Sequence, residues 1–377
     1  MITSLILIRH AKTEPRSPEI EDHQRQLTSA GIRSAKAALP RALSLVENPK
    51  EWRIWSSPAV RAWQTAEIAA DAMGLNKIEK NPNLYSDEVI ALKKSLVEEK
   101  GNLVLVGHNP YLEEFADSLC GHHLQLNKSA VACYVFPEGD FTSAELAWFV
   151  QGPDSSRWET LVQMETAMQR AARKASGSTW TFFDEPKNPD HLHELRDDLK
   201  NCLTLLDFAA PYLKKKKYQR TRETIASFLE DASQLRKLAI PSRTAEQWDS
   251  IPFVTPEAQR MYDRLRIMEA ERNRIIAKLQ SSGRQKAFHE ASQALRSPEW
   301  KSIVEAEGVE RSEVRRRFKK MKREVKDARA KYDALPDDQR SGEGARKLDK
   351  QEARLAYLGE AMGDLFAKEM DPDDYAL

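Results

Sequence analysis

A chain of 377 residues is too long for one ordinary hydrophobic core, so two domains are the default expectation. A net charge of +1 gives no bulk cationic field for nucleic acid, and three cysteines are too few for a disulfide framework. The N-terminal apolar run, Leu5 to Ile8, is too short for a membrane span or a signal-peptide core, so the cytoplasm is the expected compartment.

The first expected element is the stretch Leu5-Ile6-Leu7-Ile8, a buried strand by its run of large apolar side chains. It ends on Arg9-His10. Ligands of α/β sheets bind at strand ends, an arginine forks onto phosphate oxygens, and a histidine can be a nucleophile or an acid/base. A histidine after a strand can equally be a structural imidazole, and the downstream sequence has to decide.

Thr28 is the expected N-cap of an Ala-rich helix running to about Val46. Trp52 to Trp55 reads as a short strand. Ser56-Ser57-Pro58 then opens a helix with Pro58 at its first position and Arg61 in its first turn, beside an anion-friendly helix start. A strand near Lys77 to Glu79 and a helix near Ser86 to Glu98 follow. Asn102 to Pro110 repeats the opening theme, an apolar strand that delivers His108 ahead of a helix. Cys120-Gly121-His122-His123 reads as a surface loop after that helix rather than a metal site. Strands near Ala130 to Phe136 and Ala144 to Val150 complete the sheet. The expected fold of residues 1–152 is a three-layer α/β/α domain with a mostly parallel sheet. Two buried strands that each end on a histidine, accompanied by Arg9 and Arg61, favour a functional role for His10 over a structural one.

Composition shifts at Gln151 to Ser156, and helical patterns take over for residues 157–370, an expected all-α bundle. Trp158 to Lys174 reads as a helix broken by Ser176-Gly177-Ser178. A stripe of Leu192, Leu195, Leu199, Leu203, Leu206 and Leu213 faces a core, with the lysines 214–217 past its C-terminal end, where cations suit the helix dipole. Thr255 and Pro256 open another helix that ends at Ser281-Ser282-Gly283. Val314, Phe318, Met321, Val325, Ala328 and Tyr332 form one further stripe, and Leu348, Leu355, Leu358, Met362 and Leu365 the last. The tail after Met370 is expected to fray.

With these elements placed, residues 1–152 resemble the histidine phosphatase superfamily, and most of all its short SixA-type phosphohistidine phosphatases. Leu7-Ile8-Arg9-His10-Ala11 is similar to the family's Arg-His-Gly signature, with Ala11 in place of glycine. Arg25 with Leu27-Thr28 and Gly31, Ser57 to Ala62 with Gln64-Thr65, and Val104 to Pro110 are similar to three further motifs in the family's order. The resemblance implies that His10 attacks phosphorus and that Arg9, Arg61 and a protonated His108 surround the phosphoryl group, with Arg25 adding a contact. It implies no metal and no cofactor, because these cations supply the charge that phosphoryl transfer needs.

Larger family members also place a carboxylate to protonate an alkoxide leaving group. Asp87 and Glu88 fall in the matching region, but both also read as first-turn acids favoured by a helix dipole. A protonated imidazole leaves as a neutral molecule and needs little acid help. A protein phosphohistidine therefore suits the unmarked site better than a small phosphate ester, which stays as the alternative substrate class.

Residues 157–370 resemble a CHAD domain, a helical fold whose family binds polyphosphate. The resemblance rests on His193-Glu194-Leu195-Arg196 with Lys200, and on Arg316, Lys320 and Arg323 at matching offsets in the second half, where Glu313 replaces the second histidine. It implies that these six residues contact polyphosphate or another anion. A non-catalytic polyphosphate binder is thus a third reading, opposed by the intact Arg9, His10, Arg61 and His108. Nucleic acid is disfavoured because no stacking aromatics interleave the Arg315 to Arg323 basics, and no membrane partner is expected.

Overall fold

Strand β1 (Ile2–Arg9) lies inside a six-stranded sheet whose order is β3-β2-β4-β1-β5-β6. The remaining strands are β2 (Trp52–Ser56), β3 (Ile78–Lys80), β4 (Gly101–Gly107), β5 (Val131–Val135) and β6 (Glu145–Val150). The four strands β3, β2, β4 and β1 run parallel, and β5 and β6 join antiparallel. The computed structural model describes residues 2–85, 89–121, 124–137, 144–238 and 255–366.

The alternation of β1 explains its central place. Ile6 and Ile8 face one layer, packing with Leu39, Ala62, Ala66 and Val106, whereas Leu5 and Leu7 face the other with Leu92, Leu112, Phe115 and Leu105. The first layer carries helices α1 (Ser29–Leu43) and α2 (Val60–Met73), the second α3 (Val89–Val97) and α4 (Tyr111–Cys120). All four apolar residues are fully buried, which stabilises by about 1.5–3 kcal/mol per side chain. The expected three-layer domain is present.

The chain divides into two compact units. One is Met1–Val162 together with Ser302–Arg311, and the other is Gln163–Lys301 with Ser312–Leu377. Helix α5 (Ser156–Asp184) runs through the first boundary. The returning segment carries the short helix Ser302–Glu307. It is held in the first unit by Val309 N–H donating to the Arg157 carbonyl at 3.1 Å and by an Arg157–Glu310 ion pair at 3.2 Å.

The second unit is helical. Its elements are α6 (Pro189–Ala209), α7 (Lys215–Lys237), α8 (Pro256–Gln280), α9 (Ser282–Arg296), α10 (Arg311–Asp333) and α11 (Gly342–Ala361). Helix α6 buries the predicted leucine stripe and packs on α7, which packs in turn on α8 and α9. Thr255 caps α8 as expected, accepting from the Ala258 N–H at 3.2 Å.

Several details depart from expectation. Ser176-Gly177-Ser178 does not break α5: the Ser176 and Ser178 hydroxyls donate to Ala172 and Ala175 carbonyls one turn back, and the buried Ala172, Ala175 and Phe182 hold the helix on both sides. The lysines 214–217 open α7 instead of trailing α6, with Lys214 as N-cap, so they lie at the dipole end that disfavours cations. Pro58 precedes α2, whose first residue is Val60, because Ser57 Oγ accepts the Ala59 N–H at 3.3 Å and starts the turn later. Residues past 366 lie outside the described residues. Among the described residues no helix is long and apolar enough to cross a membrane.

Candidate active site

The site forms where adjacent strands end. β1 pairs with β4 in parallel register, Arg9 opposite Gly107, and the His10 N–H extends that ladder by donating to the Gly107 carbonyl at 3.0 Å. His10 and His108 therefore leave neighbouring strands side by side, their rings 4.9 Å apart and tilted by 55°. Strand β2 ends alongside, with the Ser57 N–H on the Val106 carbonyl at 2.9 Å. Ser57 Oγ meets His108 Nε2 at 2.8 Å, and the Tyr85 ring stands edge-on to His108 at 5.7 Å.

His10 is only 7% exposed, and its Nδ1 lies 2.7 Å from the Ala11 carbonyl. A carbonyl only accepts, so Nδ1 carries the proton and Nε2 presents a lone pair. Burial pushes the His10 imidazole down to about 3, aided by Arg61, Arg9 and Lys128 and opposed by the Ala11 hydrogen bond. It is neutral, as a nucleophile must be. Burial likewise pushes His108 down to about 2, aided by His10, Arg61 and Arg9 and opposed by Asp22. With no anion present these neighbours favour the neutral ring, and an incoming phosphoryl group would shift the balance towards the protonated one.

The arginines are held by the loop between β1 and α1 and by backbone. Arg9 Nη1 donates to the Leu126 carbonyl at 2.6 Å, and burial depresses its guanidinium against the pull of Glu113. Arg61, 5% exposed at the start of α2, donates from Nη2 to Asp22 Oδ2 at 2.8 Å and from Nη1 to the Asp22 carbonyl. Arg25 donates from Nη2 to Asp22 Oδ1 at 2.8 Å, from Nε to the same oxygen at 3.1 Å, and from Nη1 to the Glu14 carbonyl at 2.7 Å. The Nε–H groups of Arg9 and Arg61 and Nδ1 of His108 are buried without a protein partner. Unsatisfied buried donors at one strand-end cluster are what a phosphoryl group would complete.

The carbonyl beside His10 is itself braced. The Ala11 N–H donates to Thr65 Oγ1 at 3.1 Å, and that hydroxyl donates to the Arg61 carbonyl at 2.8 Å, tying the nucleophile loop to α2. Gly31 allows the loop to close, since a Cβ there would lie 2.1 Å from the Lys12 carbonyl oxygen.

The structure thus brings together Arg9, His10, Arg61, His108 and, one layer out, Arg25. Asp87 and Glu88 lie outside the described residues, as do His122 and His123. Among the described residues no group of three or more His, Cys, Asp or Glu side chains is placed to hold a metal ion. Sequence reasoning missed Asp22, Ser57 and Tyr85 as site residues. The three-residue spacing of Asp22 and Arg25 was the one available signal.

The anion-binding set expected in the helical unit falls on two helices, α6 and α10. Arg196 is buried against α7, its Nε 3.4 Å from Ser233 Oγ, whereas His193 and Lys200 are taken by Asp197 at 3.2 and 2.6 Å. Asp197 lies one turn from both and draws them away from Arg196. On α10, Arg316, Lys320 and Arg323 are exposed, and Lys320 lies 3.9 Å from Glu324. Lys320 also lines a cavity of about 320 Å³ with Asp207, Phe208, Arg317 and Arg354.

Comparison with known proteins agrees with the first unit. The histidine phosphatase superfamily (branch 1) model matches residues 5–86, which hold Arg9, His10, Arg25 and Arg61 and stop short of His108. The chain carries a histidine phosphatase superfamily domain at its N-terminus. Among solved structures, a protein assigned as the phosphohistidine phosphatase SixA of Agrobacterium tumefaciens is 25% identical, covering 40% of this chain and 98% of its own, with a TM-score of 0.34. A protein histidine phosphatase SixA complexed with tungstate is 23% identical over 40% of this chain and 97% of its own, TM-score 0.34. A mycobacterial glucosyl-3-phosphoglycerate phosphatase is 15% identical over 40% and 98%, TM-score 0.30. No curated protein matches the chain significantly.

Proposed function

We propose that the N-terminal unit is a phosphatase that hydrolyses a phosphoryl group through a phosphohistidine on His10, with a protein phosphohistidine as its substrate. One observation carries the reading. His10 is buried and neutral, its Nδ1–H is engaged by the Ala11 carbonyl, and it stands 4.9 Å from His108 among two arginines with unpaired Nε–H groups.

In this reading Nε2 of His10 forms a bond to phosphorus as the phosphorus–nitrogen bond to the substrate imidazole breaks. That imidazole departs neutral, having entered protonated on its far nitrogen. Water then attacks the phosphohistidine, releasing inorganic phosphate and restoring His10. Arg9 and Arg61 donate to the equatorial oxygens throughout, and the phosphoryl charge raises His108 so that it holds a proton against the same group. A protonated leaving group makes a carboxylic acid dispensable.

A substrate panel on the full chain, comparing phosphohistidine protein with small phosphate esters, tests the choice of substrate. His10→Ala should reduce phosphate release from phosphohistidine protein to the uncatalysed level while melting like the parent. Retained turnover in that variant would sink the mechanism, and a preference for esters would sink the substrate assignment.

The CHAD-like reading of residues 157–370 enters here as well, with inorganic polyphosphate as the ligand. The exposure of Arg316, Lys320 and Arg323 along one face of α10 supports it for the second half of the helical unit.

A further inference from the structure

Asp22 engages two arginines at once, and neither the motif pattern nor the proposed chemistry uses it. Its carbonyl and Oδ2 take both terminal nitrogens of Arg61, its Oδ1 takes Nε and Nη2 of Arg25, and Arg16 Nε lies 3.5 Å from Oδ1. Burial alone would raise this carboxyl, yet Arg61 and Arg25 hold it below the usual carboxylate range. The Arg61 guanidinium, caught at both ends, is left with Nε–H as a buried unpaired donor.

Arg61 and Arg25, brought together at one small pocket, repel each other, and long cationic side chains adopt many rotamers unless something fixes them. A carboxylate at their centre does both jobs. Resting on the phosphatase reading above, we propose that Asp22 is a positioning residue: it orients Arg61 for the phosphoryl group and supplies the counter-charge against which His108 takes up a proton. Among the described residues, the His10 and Tyr85 rings stand against His108, and the charges of Arg61 on α2, Asp22 in the loop after β1 and Arg9 at the end of β1 act on it. Among the described residues Asp22 is the one anion in that set. Removing its charge therefore makes the His108 imidazolium harder to form even with phosphate bound.

Asp22→Asn and Asp22→Ala in the full chain test this, with wild type and His10→Ala run in parallel on phosphohistidine protein. Both variants should lose on the order of 10- to 100-fold in kcat with a much smaller change in KM, as expected when a transition-state contact is misplaced. The alkaline limb of the kcat profile should move to lower pH in Asp22→Asn, a shift that a purely structural role would not produce. Independently of turnover, the His108 imidazole followed by NMR in protein saturated with inorganic phosphate should titrate at lower pH in Asp22→Asn than in wild type. An unchanged His108 titration together with wild-type kcat overturns the proposal. So does tighter phosphate binding by Asp22→Ala with undiminished turnover, which would make Asp22 a competitor for Arg61. If wild type itself shows no His10-dependent turnover, the phosphatase reading fails, and the NMR titration still decides whether Asp22 tunes His108.

Discussion

His10 and His108 have a cost as well as a use. Both are neutral in the fold at about 3 and about 2, whereas the unfolded chain protonates them near the ordinary value of about 6.5. Their folded values lie below the unfolded one, so the stability they contribute is intact above about pH 6.5 and is lost as the pH falls from there towards 3. Each contributes a slope of about 1.4 kcal/mol per pH unit in that window. Urea midpoints measured at pH 7 and pH 5 should therefore drop more for wild type than for a His10→Gln, His108→Asn double variant. An equal drop in both would acquit the two imidazoles. At this scale the sequence was informative about which side chains, Arg9, His10, Arg61 and His108, meet at the strand ends, because strand ends and a helix start are local features. It was silent on Asp22, whose partners Arg61 and Arg25 meet only when the loop folds over α2. It also placed Arg196 with His193 and Lys200 by helical spacing alone, without the tertiary choice of which face α6 buries.

At the scale of elements, continuous apolar runs in β1 and β4 marked the sheet correctly, since a strand buried on both faces shows no polar alternation. Small residues were misread. Ser176-Gly177-Ser178 looks like a helix stop from local propensity, but α5 passes through it because the flanking turns are buried. A Cβ on Gly177 would meet nothing within 4 Å. Gly177→Ala should accordingly stabilise the chain by about 0.5–1 kcal/mol in equilibrium denaturation, the usual helix-interior difference between these residues. A neutral or destabilising result would mean that the helix yields at that point. Helix α7 drew no expectation from the sequence at all, its buried Thr221, Ile225, Phe228, Ala232 and Leu235 being spread among basic, acidic and small polar neighbours.

For the whole molecule, a net charge of +1 conceals local separation. Arg61 and Arg25 beside the strand ends are compensated by Asp22, while the basic residues exposed on α10 form a cationic face. If that face holds polyphosphate, affinity should fall steeply as salt rises, because anion contacts of this kind release counterions. Arg316→Ala, Lys320→Ala and Arg323→Ala combined should then weaken binding and flatten the salt slope, measured by fluorescence titration with polyphosphate of defined length. Binding that ignores both salt and the triple substitution would place the ligand elsewhere.

Segment Ser302–Arg311 belongs to the first unit although Gln163–Lys301, the larger part of the second unit, separates it in sequence from Val162. During synthesis the sheet and its helices emerge early, yet the piece that covers Arg157 cannot arrive until the intervening chain has been translated. At about 5–20 residues per second that delay is on the order of ten seconds. The nascent phosphatase unit therefore spends that interval with one flank uncovered, a window in which a chaperone or a protease has access that the finished protein denies.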